Sequence, residues 1–180
     1  EGRYRVEPRL GEAEAPALIP LPEFPEGEAL HLEVAARLLE EARKEIDLCL
    51  YMLRRYPWDS PVNRLTDALI SAAARGVRVR VLLEGGESWM EPDFASDARE
   101  VATYLLLHGV EARFDPPGST LHAKFLVVDG EDLLVSSANW AYYSLIKNVE
   151  AGVALLGTPA LGSILADFFE ALWAQARPLP

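Results

Sequence analysis

The stretch STLHAKFLVVDGEDLLVSSANW, residues 119–140, carries reactive side chains at regular offsets inside an otherwise apolar run. His122 and Lys124 are two apart, Asp129-Gly130 is a turn signal, and Ser136, Ser137 and Asn139 follow. Lys, Ser and Asn together supply several donors and one fixed positive charge, a set that suits a tetrahedral oxyanion such as a phosphodiester. His122 adds a group able to act as nucleophile or as general acid–base near neutral pH. The chain has only three His, three Lys and three Asn, yet one, two and two of these fall within residues 122–148. No carboxylate cluster or metal-ligand set accompanies them. No metal or other cofactor is therefore expected, and stabilisation of developing charge has to come from the protein's own donors.

The local pattern predicts what positions these groups. Asp129-Gly130-Glu131-Asp132 fits a two-residue hairpin loop with Gly first, which pairs Asp129 with Asp132. In that register Lys124 lies opposite Ser137 and His122 opposite Asn139, with directly opposed Cβ atoms about 5 Å apart on one face. Asp129 has the opposite parity and sits at the turn, so it reads as a residue that holds the hairpin rather than one that reacts.

Around the hairpin the chain alternates strands and helices. Leu30, Val34, Leu38, Ala42 and Ile46 recur at helical intervals and predict a helix over 30–45, followed by a buried strand at 47–53. Ser60 as N-cap, Pro61 at the first helical position and Gly76 as stop predict a second helix. Further strands are expected at VRVRVLLE, with Arg78 and Arg80 on an edge or partly exposed face, at VEARFD and at EAGVALLG. Helices are expected at SDAREVATYLLLHG and from Pro159 to Gln175. This order predicts an α/β fold, a mixed central sheet flanked by helices on both faces. Residues 1–28, with five prolines and many Glu, read as an extended arm, leaving 29–180 as the domain.

Composition narrows the partners. A net charge of −11 argues against a general nucleic-acid coat or an anionic-membrane binder, but leaves room for a local basic cleft. Cys49 lies in an apolar run and reads as a buried, inert thiol. Fourteen Arg against one Gln and three Asn point weakly to a thermophile or high-GC source. No transmembrane span is expected. The chain begins Glu-Gly; if that reflects removal of a signal peptide, an exported or periplasmic location is favoured over a cytoplasmic one. Two readings stay open for RRYPW, residues 54–58. Arg54 and Arg55 could grip a backbone phosphate while Tyr56 or Trp58 stacks a base, or the segment is a solvated loop with aromatic packing.

His122-Ala-Lys124, four residues, Asp129, six residues, then Ser136-Ser137-Ala-Asn139 resembles the HxK(x)4D(x)6GSxN signature of the phospholipase D superfamily. One position departs, Ser136 standing where the family's pattern has Gly. Asn148-Val-Glu150 resembles the trailing N-x-E of that family, and the resemblance covers roughly residues 30–175. It implies a phospholipase D-like fold with one motif per chain and a metal-independent, two-step phosphodiesterase. In the first step His122 would form a phosphohistidine. It also implies that Glu150 orients His122, and that the active site is shared across a homodimer, because this chain has a single motif. His31 and His108, near helix ends and without a Lys partner, are no natural second catalyst. With no membrane-seeking helix in the sequence, nucleic acid is the favoured substrate and a nuclease the favoured enzyme. A phospholipid is the alternative, with Trp89, Met90 and Phe94 offering an acyl groove. A non-catalytic module that clamps a phosphate backbone is the third reading.

Overall fold

The computed structural model describes residues 17–23, 29–86 and 92–179. In chain order the elements are β1 (Ala17–Glu23), α1 (Leu30–Glu41), β2 (Glu45–Leu50), α2 (Asn63–Ala74), β3 (Arg78–Leu83) and α3 (Pro92–Leu107). There follow β4 (Glu111–Phe114), β5 (Lys124–Val128), β6 (Asp132–Ser136), a π turn (Tyr143–Lys147), β7 (Glu150–Leu156), α4 (Pro159–Trp173) and β8 (Arg177–Pro178). The strands form one mixed sheet in the order β1-β7-β6-β5-β2-β3-β4-β8. Strands β2, β3 and β4 run parallel, as their helical crossovers require, and the remaining pairs are antiparallel.

Strict alternation along β2 and β3 divides the core in two. Ile46, Leu48, Leu50, Val79, Val81 and Leu83 point into a large cluster closed by α1, α2 and α3. Cys49 and Leu82 point the other way, where Phe169 and Trp173 of α4 close a smaller cluster with Phe125, Val127 and Leu133. Helices therefore cover both faces, three on one and one on the other. The predicted mixed α/β architecture is what the chain adopts.

Four expectations need correction. The N-terminal segment is not only an arm, because Ala17–Glu23 forms the edge strand β1, antiparallel to β7. Its prolines concealed it. Pro20 and Pro22 share one parity, so both missing N–H groups fall on the same side of the strand, and an edge strand can leave that side unpaired. Residues 1–16 and 24–28 of the predicted arm, and Trp89 and Met90 of the suggested acyl groove, lie outside the described residues.

Helix α1 stops at Glu41 rather than continuing to residue 45. The backbone N–H groups of Arg43, Lys44 and Glu45 donate instead to the carboxylate of Asp129, at 3.0, 2.7 and 3.0 Å, which diverts them from the helix. Helix α2 begins at Asn63, and Ser60, although buried, makes no side-chain cap. Its carbonyl accepts from Asn63 N at 3.0 Å, and the Asn63 side chain grips Tyr56 N, Tyr56 O and Trp58 O. Finally, β3 is an interior strand, so Arg80 is buried at 5% exposure. It is held bidentately by Asp47 at 2.8 and 2.9 Å and reaches Glu170 of α4 at 2.6 Å.

Candidate active site

Strands β5 and β6 carry the motif, and their register differs from the sequence expectation by one residue. Val128, not Asp129, pairs with Asp132, so the loop has three residues, Asp129-Gly130-Glu131. Asp129 and Gly130 both take positive φ, 53° and 74°. Asp tolerates this conformation better than most residues, and here its carboxylate is repaid by the three backbone donors of the α1–β2 turn. Lys124 therefore does not face Ser137, nor His122 Asn139, through ladder pairing.

The groups meet by a different route. Beyond Ser136 the chain first stays on β7, with Ser137 N donating to Ala151 O at 2.9 Å. It then crosses over the end of β5. Trp140 N donates to Met52 O at 3.0 Å and Arg54 N to Trp140 O at 2.9 Å, a parallel bridge onto the extension of β2. This crossing brings Ala138 and Trp140, which flank Asn139, around one small cavity with Lys124. His31 of α1 supports it from below, accepting from Trp140 Nε1 at 3.1 Å. Burial pulls the His31 imidazole down to about 4, which keeps it neutral and able to accept.

Lys124 is buried at 8% exposure while His122 is exposed. The Lys124 ammonium donates to His122 O at 2.8 Å and lies 3.2 Å from each His122 ring nitrogen. Tyr51, which follows β2, floors the pair. Its ring lies 5.4 Å from Lys124 Nζ and 5.0 Å from the His122 ring. Tyr51 was not singled out in the sequence; its one signal there is its place at the end of a buried strand. Burial pulls the Lys124 ammonium below the usual lysine range, partly offset by the nearby Glu150 carboxylate. Behind the sheet, burial pushes the Cys49 thiol up to about 12, with Asp115 adding to it, so it is a neutral core group.

Glu150 opens β7, and within the single chain its partners are local. Its carboxylate is hydrogen-bonded by Ser137 Oγ and by Asn148 Nδ2, the latter at 3.1 Å. Among the described hydrogen bonds none joins it to His122. The reason is the β6–β7 ladder, which continues one residue past Ser136 and makes Ser137 its nearest donor. Ser136, in the usual Gly position, accepts from Ala138 N at 2.9 Å. It faces Gly152, where a Cβ would lie 2.9 Å from Ser136 Cβ, so a side chain on that position of β7 would collide with Ser136.

Asn139 borders a cleft of about 910 Å³ that Arg54, Arg55, Tyr56, Trp58 and Tyr143 also line. The Asn139 carbonyl oxygen is buried and has no hydrogen-bond partner among the described residues. Arg54 is paired with Asp97. Arg55 is held by Thr66 and Asp67, each at 2.6 Å, and lies 4.6 Å over the Tyr104 ring. The Tyr56 and Trp58 rings are 4.4 Å apart, and Trp58 is 54% exposed. Phe94 stacks on Tyr51 at 5.0 Å. Among the described residues no group of three His, Cys, Asp or Glu side chains is placed to hold a metal ion. Among them, too, no helix is long and apolar enough to cross a membrane.

Comparison with known proteins places this arrangement. The family described as "Cardiolipin synthase, PLD-like domain" matches residues 36–173, most of the chain and all of the His122-to-Asn139 hairpin. The chain belongs to the phospholipase D superfamily. Human mitochondrial cardiolipin hydrolase is 29% identical over 155 residues, covering 86% of this chain and 55% of that protein. Cardiolipin synthase A of Escherichia coli O157:H7 is 35% identical over 105 residues, 58% of this chain and 21% of that protein. The chain spans about half the length of the mitochondrial cardiolipin hydrolases it matches. The phospholipase D family member Nuc from Salmonella typhimurium superposes with a TM-score of 0.73 at 20% identity, over 91% of this chain and 98% of that one. NucT from Helicobacter pylori gives 0.70 at 12%, over 91% and 100%. These two likenesses are of fold alone.

Proposed function

We propose that the protein is a phosphodiesterase that works through a phosphohistidine, and that its favoured substrate is nucleic acid. The observation that carries the chemistry is the 3.2 Å approach of the buried Lys124 ammonium to the exposed His122 ring at the start of β5. A phosphate placed there meets a nucleophile and fixed donors without any reorganisation of the strand.

In the first step a ring nitrogen of His122 attacks phosphorus. The P–N bond forms, the P–O bond to the leaving group breaks, and the leaving oxygen takes a proton from a second imidazole. In the second step that imidazole takes a proton from water, the water oxygen attacks phosphorus, and His122 is released. Lys124 and Asn139 hold the non-bridging oxygens throughout, and neither step calls for a metal ion. Glu150, tied to Ser137, keeps the hydroxyl oriented at the edge of the site.

The second imidazole is His122 of a second copy of the chain. His31 is spent on Trp140, and His108 directly follows α3, where its Nδ1 is 2.7 Å from Tyr104 O. Exposed Tyr143 and Val149, at 72% and 69%, flank the motif and offer apolar surface for such a pairing. The cleft beside Asn139 supports nucleic acid, because Arg54 and Arg55 can exchange Asp97 and Asp67 for flanking phosphates while Trp58 offers a stacking face. A phospholipid substrate is the second reading, favoured by the relatives that are cardiolipin enzymes.

The test is hydrolysis of single- and double-stranded DNA, RNA and cardiolipin vesicles by wild type and His122→Ala, all in EDTA, with the mass in solution measured alongside. Nucleic-acid cleavage by a dimer, lost on the order of 10⁴-fold or more in His122→Ala, is expected. Turnover of lipid alone moves the protein to the second reading. Full activity of His122→Ala, restoration by a divalent ion after EDTA, or an active monomer each refutes a part of the mechanism. Silence on every substrate leaves a phosphate-binding module.

A further inference from the structure

His122 is delivered by a segment with no ladder of its own. Residues 115–123, DPPGSTLHA, form neither helix nor strand, and β5 begins only at Lys124. A nucleophile on such a segment has to be fixed from elsewhere, since misplacement by about 1 Å can cost 100-fold in rate.

We propose that Glu84 is a positioning residue for His122, an inference that rests on the phosphodiesterase reading above. Glu84 directly follows β3 and is 1% exposed, a depth at which a carboxylate is rare unless its oxygens are taken up. Both are. One oxygen accepts from the backbone N–H of Leu121, the residue before His122, at 2.7 Å. The other accepts from Gly86 N at 2.8 Å. The donor at Leu121 is thereby tied to the parallel centre of the sheet, one residue upstream of the imidazole.

The anchor is itself immobilised. Gly85 N donates to Asp115 Oδ1 at 2.9 Å, so the same turn holds the beginning of the His122 segment as well as its end. Gly86 takes a φ of +84°, and a Cβ there would lie 2.8 Å from Ala95 Cβ of α3, so the turn is pressed against that helix. Glu84 N donates to Leu50 O at 3.3 Å, one residue before Tyr51, which floors the His122 ring. Leu121, 8% exposed, is plugged into the smaller core under α4. The carboxylate of Glu84 is the joint of these contacts. Its charge makes both bonds stronger than an amide could, and only a carboxylate accepts at both oxygens.

Glu84→Gln is the variant that tests this. The amide keeps one acceptor and presents an N–H to whichever backbone donor is left. The expected result is a fall in kcat on the order of 10- to 100-fold, with KM within about 2-fold, because substrate is still bound but the attacking nitrogen is misplaced. Nuclear magnetic resonance of the imidazoles should show the His122 ring signals shifted or broadened in Glu84→Gln, with those of His31 and His108 in place. A variant with wild-type kcat and unmoved His122 signals overturns the proposal, as does a loss seen only as raised KM. Should Glu84→Gln not fold, the wild type decides. The Leu121 amide proton is expected far downfield and protected from exchange, and rapid exchange there overturns the proposal. A wild type inactive on every phosphodiester refutes the proposed function instead, while the His122 and Leu121 signals still decide the anchor.

Discussion

The two ends of the β5–β6 hairpin lie about 14 Å apart on a five-residue strand, and they are built on opposite rules. At the turn end the Asp129 carboxylate is fully engaged. Asp129 accepts from three backbone N–H groups and its own N–H donates to Glu45 O at 2.9 Å. Glu131 O accepts from Thr158 N at 2.8 Å, and Gly162 of α4 sits so close that a Cβ would lie 1.9 Å from Gly130 O. At the open end Lys124 is buried with ring nitrogens for company, Asn139 keeps a buried acceptor unpaired, and His122 is exposed. One motif supplies both ends. The spacing from His122 to Asp129 thus joins a reactive site to the clamp that holds its strand in register, and the under-satisfied groups are tolerated because the other end is over-determined.

The contrast is sharpest at Lys124. Lys124→Met is expected to lower kcat on the order of 100- to 1000-fold, by removal of the fixed positive charge, and at the same time to raise the thermal midpoint. The sign follows from the lysine's folded-state pKa, which lies below its unfolded value. The unfolded chain then holds the proton more tightly, so the charged lysine destabilises the fold fully at pH below the folded pKa. That penalty fades as pH rises toward the unfolded value. The gain in Lys124→Met over wild type is therefore expected at neutral pH and should shrink in strongly alkaline buffer, as thermal unfolding across pH would show. A midpoint that falls instead would break the comparison.

Asp129→Ala should do the reverse. Loss of the acceptor for three backbone donors is expected to cost about 1–3 kcal/mol in denaturant unfolding, while kcat per folded molecule stays at the wild-type level. A large loss of kcat in the folded fraction would mean the turn end takes part in the chemistry. The smallest effect is expected at the departure from the family pattern. Ser136→Gly removes the acceptor for Ala138 N and should cost about 1 kcal/mol, with turnover changed by no more than about 2-fold. A gain in activity would show that Ser136 constrains the crossing segment.

Much of this was legible in the residues. Gly76 ends α2 with a φ of +89°, Pro159 opens α4, and the order of strands and helices predicts a mixed sheet with helices on both faces. The motif spacing picks out His122 and Lys124, whose ammonium and imidazole lie 3.2 Å apart. The failures share a cause, which is that a long-range partner outweighs the local signal. Asp129 draws the end of the predicted α1 out of helix, and β7 recruits a proline-rich segment as an edge strand. Glu84 and Tyr51 stand at strand ends without any local pattern, so nothing along the chain marks them until the sheet is assembled.

By itself the sequence determined which groups are available for chemistry, their order, and the periodicities that sort each element's faces, because these depend on residue type and near neighbours. Only the tertiary structure decided where the segment carrying Asn139 crosses the sheet and what holds Leu121 in place. Those depend on a strand crossing over its neighbour and on backbone donors more than thirty residues from their acceptors. Contacts at that separation are set by the geometry of the whole sheet, and no window along the chain contains them.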